Sequence, residues 1–412
     1  MATADHRLTS IEICAGAGGQ AVGLHQAGFR HLALVEIDKH AVQTLRRNID
    51  NRPEWRWERE HCLIREVDVK EFRPLEEVPD PDAYEDGKRG SAEAAEKIKP
   101  GQLDLLAGGV PCPPFSAAGK QLGREDERDL FPRMLDLVEE LQPRAVMIEN
   151  VRGLVVPERK FRYYRNHIKN RLRKAGYVIC GWRVLEARDF GVPQLRPRAI
   201  LVAIREDHYR GFDWPKPQKE IVTVAKALKQ SMMERLGGED DPRFIQWLKN
   251  ASLGTVAPTL VGGSKKHGGA DLGPTRAKRA WAALGIDAMG VANDPDKMID
   301  PKRDLGDLEK GPKLTVDQAK LIQGFPEDWE FVGSGKTTRY RQVGNAFPPP
   351  VAAAVGECIK EALLRTGPLL EDPSPDFEPE DDPSLVAPEL PLQQALPTIE
   401  DDAENSARAL LS

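Results

Sequence analysis

Through the first 204 residues, short apolar runs alternate with polar and amphipathic stretches. The runs at 10–14 (SIEIC), 32–36 (LALVE), 103–107 (LDLLA), 145–149 (AVMIE) and 199–204 (AILVAI) are strand candidates. Amphipathic segments such as 131–141 and 161–175 fall between them and read as helices. Strands alternating with helices predict an α/β fold with a parallel sheet covered on both faces. The alternation stops near 205. Residues 205–311 are dominated by glycine, proline and charge and read as a separate, loop-rich module with its own small core. Order returns from 312, with a helical pattern over 316–323, a glycine–proline turn and a last helix at about 350–365. Residues 79–101, rich in Pro, Asp, Glu, Gly and Ala, read as an exposed insertion. Residues 367–412 carry eight prolines and little apolar periodicity, which predicts disorder, because too little apolar surface exists to offset chain entropy.

Composition narrows the class. The 412 residues suffice for two domains, and 40% hydrophobic with 30% charged residues is ordinary for a soluble globular protein. No apolar run is long enough to span a membrane, and the N-terminus MATADHRLTSIEICAG lacks the order of a signal peptide, so a cytoplasmic protein is expected. Five scattered cysteines (14, 62, 112, 180, 358), with no CxxC pair or Cys/His cluster, predict a reduced protein without a structural metal. The net charge of −6 hides an asymmetry. Residues 367–412 hold twelve acids against one base, so the remaining 58 bases and 53 acids leave the body at +5. Residues 151–200 alone carry thirteen bases and three acids, a local field suited to a polyanion.

The first strand runs into CAGAGG, residues 14–19. Glycines 16, 18 and 19 allow a tight turn and close approach of a ligand to the backbone. Gly16-x-Gly18-x-x-Ala21 fits the loose nucleotide-binding pattern, and Glu36, twenty residues after Gly16, can accept ribose hydroxyls. Asp68, in the run EVDV, could meet an adenine edge. A dinucleotide dehydrogenase and an S-adenosylmethionine (AdoMet) enzyme fit this signal equally. The next strand is followed by GGVPCPPFS, residues 108–116. Cys112, framed by Pro111, Pro113 and Pro114 in a loop at a strand end, is a candidate nucleophile. Glu149 ends the following strand and could face the same substrate. Gln194-Leu-Arg196-Pro-Arg198 puts two arginines two apart, a fork suited to carbonyl or phosphate oxygens.

CAGAGG, VEID, VDV, PCPPFS, ENV, QLRPR, KLT…IQGFP and YRQVGNAFPPPV occur in this order. Together they resemble the C5-cytosine DNA methyltransferases, particularly bacterial restriction–modification enzymes, over nearly all of residues 10–365. The resemblance implies a Rossmann-like AdoMet-dependent methyltransferase fold with a mixed sheet and a second, smaller target-recognition domain. The catalytic domain would combine 1–204 with 312–366, and 205–311 would read DNA. Cys112 would attack C6 of a flipped cytosine, Glu149 would hold and protonate N3, and Arg196 and Arg198 would steady the ring. Ala15, Gly16, Ala17, Gly18, Gly19, Glu36, Ile37, Asp68, Val69, Pro111, Leu130 and Asn345 would line the site for AdoMet and its product S-adenosyl-L-homocysteine. Ser116, Thr259, Leu260 and Arg341 would lie near the DNA. So would Lys265, Lys266, Arg276 and Arg279 of the basic segment 255–284, whose glycines allow approach to phosphates.

Double-stranded DNA is the expected partner, bound by a monomer associated with the nucleoid, with a cognate endonuclease acting on the same site without direct contact. The chain departs from the family pattern at Cys14 and Phe347, at Ile37 after the ribose acid, at Pro113 after the nucleophile, and at Pro312-Lys313 before the LT pair. A tRNA cytosine methyltransferase of the same chemistry and a noncatalytic DNA-binding regulator on this scaffold are the alternatives.

Overall fold

The computed structural model describes residues 8–81, 96–111, 129–159, 161–262, 270–298 and 300–373. The chain forms, in order, β1 (Thr9–Ile13), α1 (Gly19–Gln26), β2 (Arg30–Glu36), α2 (Lys39–Asn51), α3 (Arg56–His61), β3 (Leu63–Glu66), α4 (Pro74–Glu77), β4 (Leu105–Gly108), α5 (Phe131–Leu141), β5 (Ala145–Val151), α6 (Arg162–Lys174), β6 (Tyr177–Glu186) and β7 (Pro197–Arg205). Helices then follow: α7 (Val224–Leu236), α8 (Pro242–Leu253), α9 (Thr275–Ala283), α10 (Pro301–Leu305), α11 (Val316–Gln323), α12 (Lys336–Asn345) and α13 (Pro349–Leu364).

The seven strands make one sheet in the order β3-β2-β1-β4-β5-β7-β6. The first five are mutually parallel, and β7 runs antiparallel between β5 and β6. The sheet is therefore mixed. A ten-residue link joins β6 to β7, too short for a parallel crossover with its helix, so the pair is antiparallel. The strand β6 has no counterpart among the apolar runs of the sequence. It is an edge strand, mostly half-buried, and its register shifts between Ile179 and Gly181, so neither a continuous apolar run nor clean alternation marks it.

Strand burial follows from the two-sided cover. Every residue of β1 is buried. Ile11 and Ile13 pack with Phe131, Leu135 and Val138 of α5 on one face, while Leu105 and Ala107 pack with Leu24, Val351 and Val355 on the other. Local signals fix the helix ends. Asp38 caps α2, accepting the amide N–H groups of His40 and Ala41, and Thr315 with Gln318 forms a capping box on α11.

Two expectations change. First, α7, α8 and α9 do not enclose a core of their own. Leu228, Met232, Phe244, Trp247 and Trp281 belong to one apolar cluster with Leu45, Trp55, Val316, Trp329 and Tyr340. Among the described residues the 205–311 region carries four α-helices, and its apolar residues complete their burial against α2, α11 and α12. Second, the segments flanking 82–95 are not exposed throughout: Val78 and Ile98 are buried and joined by a backbone hydrogen bond of 2.9 Å. Residues 82–95 and 374–412 lie outside the described residues. The start of the acidic segment packs back on the body, where Arg210 donates to the Gly367 carbonyl and Leu370 N–H to that of Tyr209. Among the described residues no helix is long and apolar enough to cross a membrane.

Candidate active site

The strand order reverses between β1 and β4, and the crevice beyond the carboxyl ends of the parallel strands at such a switch point is where open α/β sheets take ligands. A cavity of about 460 Å³ lies there. Its wall brings together Ala15, Gly16, Ala17, Gly19, Glu36, Ile37, Asp68, Val69, Pro111, Leu130, Asn345 and Glu149, residues drawn from five strand ends, the start of α5 and the end of α12. Gly18 is absent from the wall. It packs behind it, where a Cβ would stand 2.7 Å from the Trp329 ring and 2.9 Å from Leu45. Gly18 and Gly16 both adopt positive φ, which glycine alone adopts without strain. Cys14 also has positive φ, at 53°, an uncommon state for a non-glycine residue.

Glu36 holds this turn together. Its Oε2 accepts the Gly16 N–H at 2.8 Å, and its Oε1 accepts those of Ile37 and Asp38 at 2.9 and 2.8 Å. Burial raises its pKa, while these three bonds oppose the rise. Ile37 stands at the rim with 66% of its surface in water, an apolar side chain with space for a flat ring against it. Asp68 forms a turn with Lys70 N–H at 2.9 Å.

At the other end of the cavity, Glu149 Oε1 pairs with Arg198 Nε at 2.9 Å. Its Oε2 faces the end of β4, 3.1 Å from where a Cβ on Gly109 would be, so a side chain there would crowd it. Burial raises the Glu149 pKa, and Arg198 and Arg196 pull it down. Asn150 donates to the Val110 carbonyl at 2.8 Å and so fixes the backbone entering the cysteine loop. Sequence reasoning quoted Asn150 only as part of ENV and gave it no role. Cys112 and Ser116 lie outside the described residues, as do Lys265 and Lys266.

The two arginines do not form a fork. Arg196 is 1% exposed and turned away from the cavity. It donates to the carbonyls of Leu260 (2.7 Å), Gly344 (2.8 Å) and Ala346 (2.9 Å). Arg196 precedes β7, so the two-residue alternation of an extended strand does not carry back to it. Desolvation drives its pKa well down, and Arg198 adds to the effect. Around this clamp, Gln194 donates to Ile322 O and Gln323 Oε1 and accepts Leu260 N–H, while Thr259 donates to Leu195 O. Gly262 and Gly344 touch backbone to backbone: a Cβ on Gly344 would fall 2.6 Å from Gly262 Cα.

Among the residues expected on DNA, Arg341 lines the cavity beside Gln342 and Asn345. Thr259 and Leu260 are engaged by the clamp. Arg276 is half-buried and Arg279 exposed on α9, and Lys278 pairs with Asp271 at 2.9 Å. The basic run on α6 is partly internal. Arg165 is buried and donates to Leu154 O, and Arg171 pairs with Asp136 and Glu139.

Residues 8–361 match the family model of the C-5 cytosine-specific DNA methylases. The Type II methyltransferase M.NaeI of Lentzea aerocolonigenes is 47% identical over 87% of this chain and 76% of its own length. The Type II methyltransferase M.NgoMIV of Neisseria gonorrhoeae is 42% identical over 87% of this chain and 99% of its own. In fold, the chain is similar to the Dnmt2 methyltransferase of S. pombe (TM-score 0.51, 17% identity, 87% of this chain and all of that one). The Entamoeba histolytica methyltransferase EhMeth is comparably similar (TM-score 0.51, 14% identity, 87% and 98%).

Replacing Arg196 with Met is expected to destabilise the protein by at least about 3 kcal/mol, because the buried carbonyls of Leu260 and Gly344 lose this donor and that of Ala346 keeps only Gln323. Denaturant unfolding measures this, and a loss below about 1 kcal/mol would show that water replaces the clamp.

Proposed function

The chain belongs to the C-5 cytosine-specific DNA methylase family, and on that premise we propose how its residues divide the work of a DNA (cytosine-5-)-methyltransferase. The observation that carries the reading is one cavity with Glu36 and Asp68 at one end and the Glu149–Arg198 pair at the other. AdoMet fits the first part. Glu36 suits a ribose, Asp68 an adenine edge and Ile37 its face, and the bare backbone of Gly16, where a Cβ would meet nothing within 4 Å, leaves room for the chain between. When bound, AdoMet supplies a methyl group on a sulfonium that an electron-rich carbon can take.

C5 of cytosine is a poor nucleophile. Addition of the Cys112 thiolate to C6, with a proton at N3, makes C5 enamine-like. Loss of the C5 proton after methyl transfer, then elimination of the thiol, restores the aromatic ring. Glu149 is the N3 acid. Burial favours its protonated form, and the Arg198 pairing keeps the carboxyl oriented. Arg198 also lies within reach of the O2 carbonyl. Arg196 is a positioning residue that holds the walls of the site. The ring cannot be approached on its faces inside a duplex, so the cytosine flips out.

The catalytic unit would be 1–204 with 312–366, and 205–311 would read the sequence, with Arg276 and Arg279 of the basic segment 255–284 contacting DNA. The Type II relatives support a modification enzyme that protects host DNA against a cognate endonuclease, working in the cytoplasm as a monomer on DNA.

Cys112→Ala is expected to abolish transfer of labelled methyl to duplex DNA while DNA binding persists; turnover above background would remove Cys112 as nucleophile. The same assay offered tRNA should give no signal with the unaltered enzyme. The alkaline limb of kcat against pH should report loss of the Glu149 proton. In Arg198→Met that limb moves to higher pH, because the charge that lowers the Glu149 pKa is gone; a limb that stays in place denies Glu149 the acid's role. Exchanging 205–311 for the corresponding segment of a relative should change which cytosines bisulfite sequencing finds methylated, and an unchanged pattern would locate recognition elsewhere.

A further inference from the structure

The cavity wall is short of positive charge. Its described residues include five carboxylates, Glu12, Glu36, Asp38, Asp68 and Glu149, and a single base, Arg341 of α12. Four of the acids are satisfied within the protein. Glu36 holds three backbone N–H groups, Asp38 caps α2, Asp68 accepts Lys70 N–H and Glu149 pairs with Arg198. Glu12 keeps a buried oxygen without a partner, and the charge acting on its carboxyl is that of Glu36, with no cation to offset it. Arg341 is therefore spent on none of them. Its Nε is buried without a partner, and its guanidinium makes no hydrogen bond or ion pair with the described residues. A guanidinium partly withdrawn from water and left unpaired is costly, so such groups normally have a counterpart.

The helix carries Arg341 between two fixed ends. Near its start Arg339 pairs with Asp294 of the 205–311 region at 2.6 Å, and at its end Arg196 holds the Gly344 and Ala346 carbonyls. Thr338, Arg341 and Asn345, spaced three and four apart, form one stripe of α12 along the cavity. Gln342 also reaches the wall but is engaged, accepting the Thr44 hydroxyl at 2.7 Å and donating to the Val332 carbonyl at 2.6 Å. The Arg341 carbonyl abuts Gly262, where a Cβ would stand 3.1 Å from it. Gly262 belongs to the basic segment 255–284, so Arg341 stands where the cavity wall meets the region that would read DNA.

A free guanidinium in an acidic wall calls for an anion that the ligand brings. AdoMet carries a sulfonium and an ammonium against one carboxylate, so an acidic wall suits it without Arg341. A DNA strand has no such cations. A cytosine turned out of the duplex draws its own phosphodiester to the mouth of the cavity, toward the carboxylates. Like charges repel there, and one base in the wall opposes the repulsion. The planar fork of a guanidinium also matches two oxygens of one phosphate.

We propose that Arg341 binds the phosphodiester next to the everted cytidine and so admits the DNA strand to an acidic cavity. This rests on reading the cavity as the place where the flipped base meets AdoMet.

Fluorescence anisotropy over a salt series tests this on the full chain, with a duplex holding the cytosine that bisulfite sequencing finds methylated. In Arg341→Gln the slope of log K against log salt should become shallower by about 0.9, the loss of one phosphate contact, while Arg341→Lys, which keeps the charge, should retain it. An unchanged slope in Arg341→Gln would overturn the proposal. A neutral methylphosphonate at the phosphate flanking the target cytidine should weaken binding to the unaltered protein about 10-fold and cost Arg341→Gln nothing further. Equal losses in both proteins would place Arg341 on another group and overturn the assignment. Titration calorimetry with S-adenosylhomocysteine separates the other anion: weaker binding in Arg341→Gln with an unchanged salt slope would give Arg341 to the cofactor carboxylate. Because Arg341 bonds to nothing in the protein, Arg341→Gln should melt with the unaltered chain; a lower melting temperature would show that the guanidinium is used internally and not kept for a ligand. Absence of methyl transfer by the unaltered protein would overturn the reading of the cavity itself, whereas a methylating protein with an unmoved slope overturns only the role of Arg341.

Discussion

A single buried guanidinium fixes the geometry on which the site depends. Arg196 binds three backbone carbonyls that lie 64, 148 and 150 residues away in sequence. One, that of Leu260, lies within 205–311, the region proposed to read DNA, and the other two flank Asn345 in the cavity wall. Among the described residues no carboxylate forms an ion pair with it. Carbonyl dipoles compensate its charge instead, through charge-assisted bonds that hold direction as well as distance. Because the guanidinium is planar, the three acceptors must lie near its plane, and the start of β7, the 257–260 strip and the end of α12 become one rigid piece.

Close packing of glycines continues what the clamp begins. Gly262 and Gly344 meet without side chains, and a Cβ on Gly262 would strike the Asn345 amide. Gly18 lies against Trp329 and Leu45 in the same way, and Trp329 donates to the Ala17 carbonyl at 3.1 Å. The glycine turn after β1 and the C-terminal helices thus come into register across some 300 residues. The apolar cluster that runs unbroken from Leu45 and Trp55 to Phe244 and Trp281 has the same consequence. The helices beyond β7 cannot shift far without opening a core shared with the cavity wall.

The charges along the cavity differ in how they are satisfied. Glu149 has Arg198. Glu36 has three backbone N–H groups. Glu12 and Gln20 have neither. A group satisfied by the protein is held in place before the ligand arrives, whereas a bare one gains its partner only on binding. That difference separates Glu149 and Glu36, held in place by the protein, from Glu12 on β1 and Gln20 on α1.

The sequence by itself determined four of the five parallel strands, β3 excepted, the last helices, the order of motifs and the cluster of residues at the strand ends. Alternation, capping and glycine turns are local properties, and an open parallel sheet places its strand ends together whatever the loops do. Only the tertiary structure decided which of two neighbouring arginines faces Glu149, since the direction of Arg196 is set by carbonyls far along the chain. It also decided that the 205–311 helices share the main core, that a half-buried edge strand completes the sheet, and that Gln20 stands bare. Each of these depends on what a side chain meets across the fold, and no period of two or 3.6 residues records that.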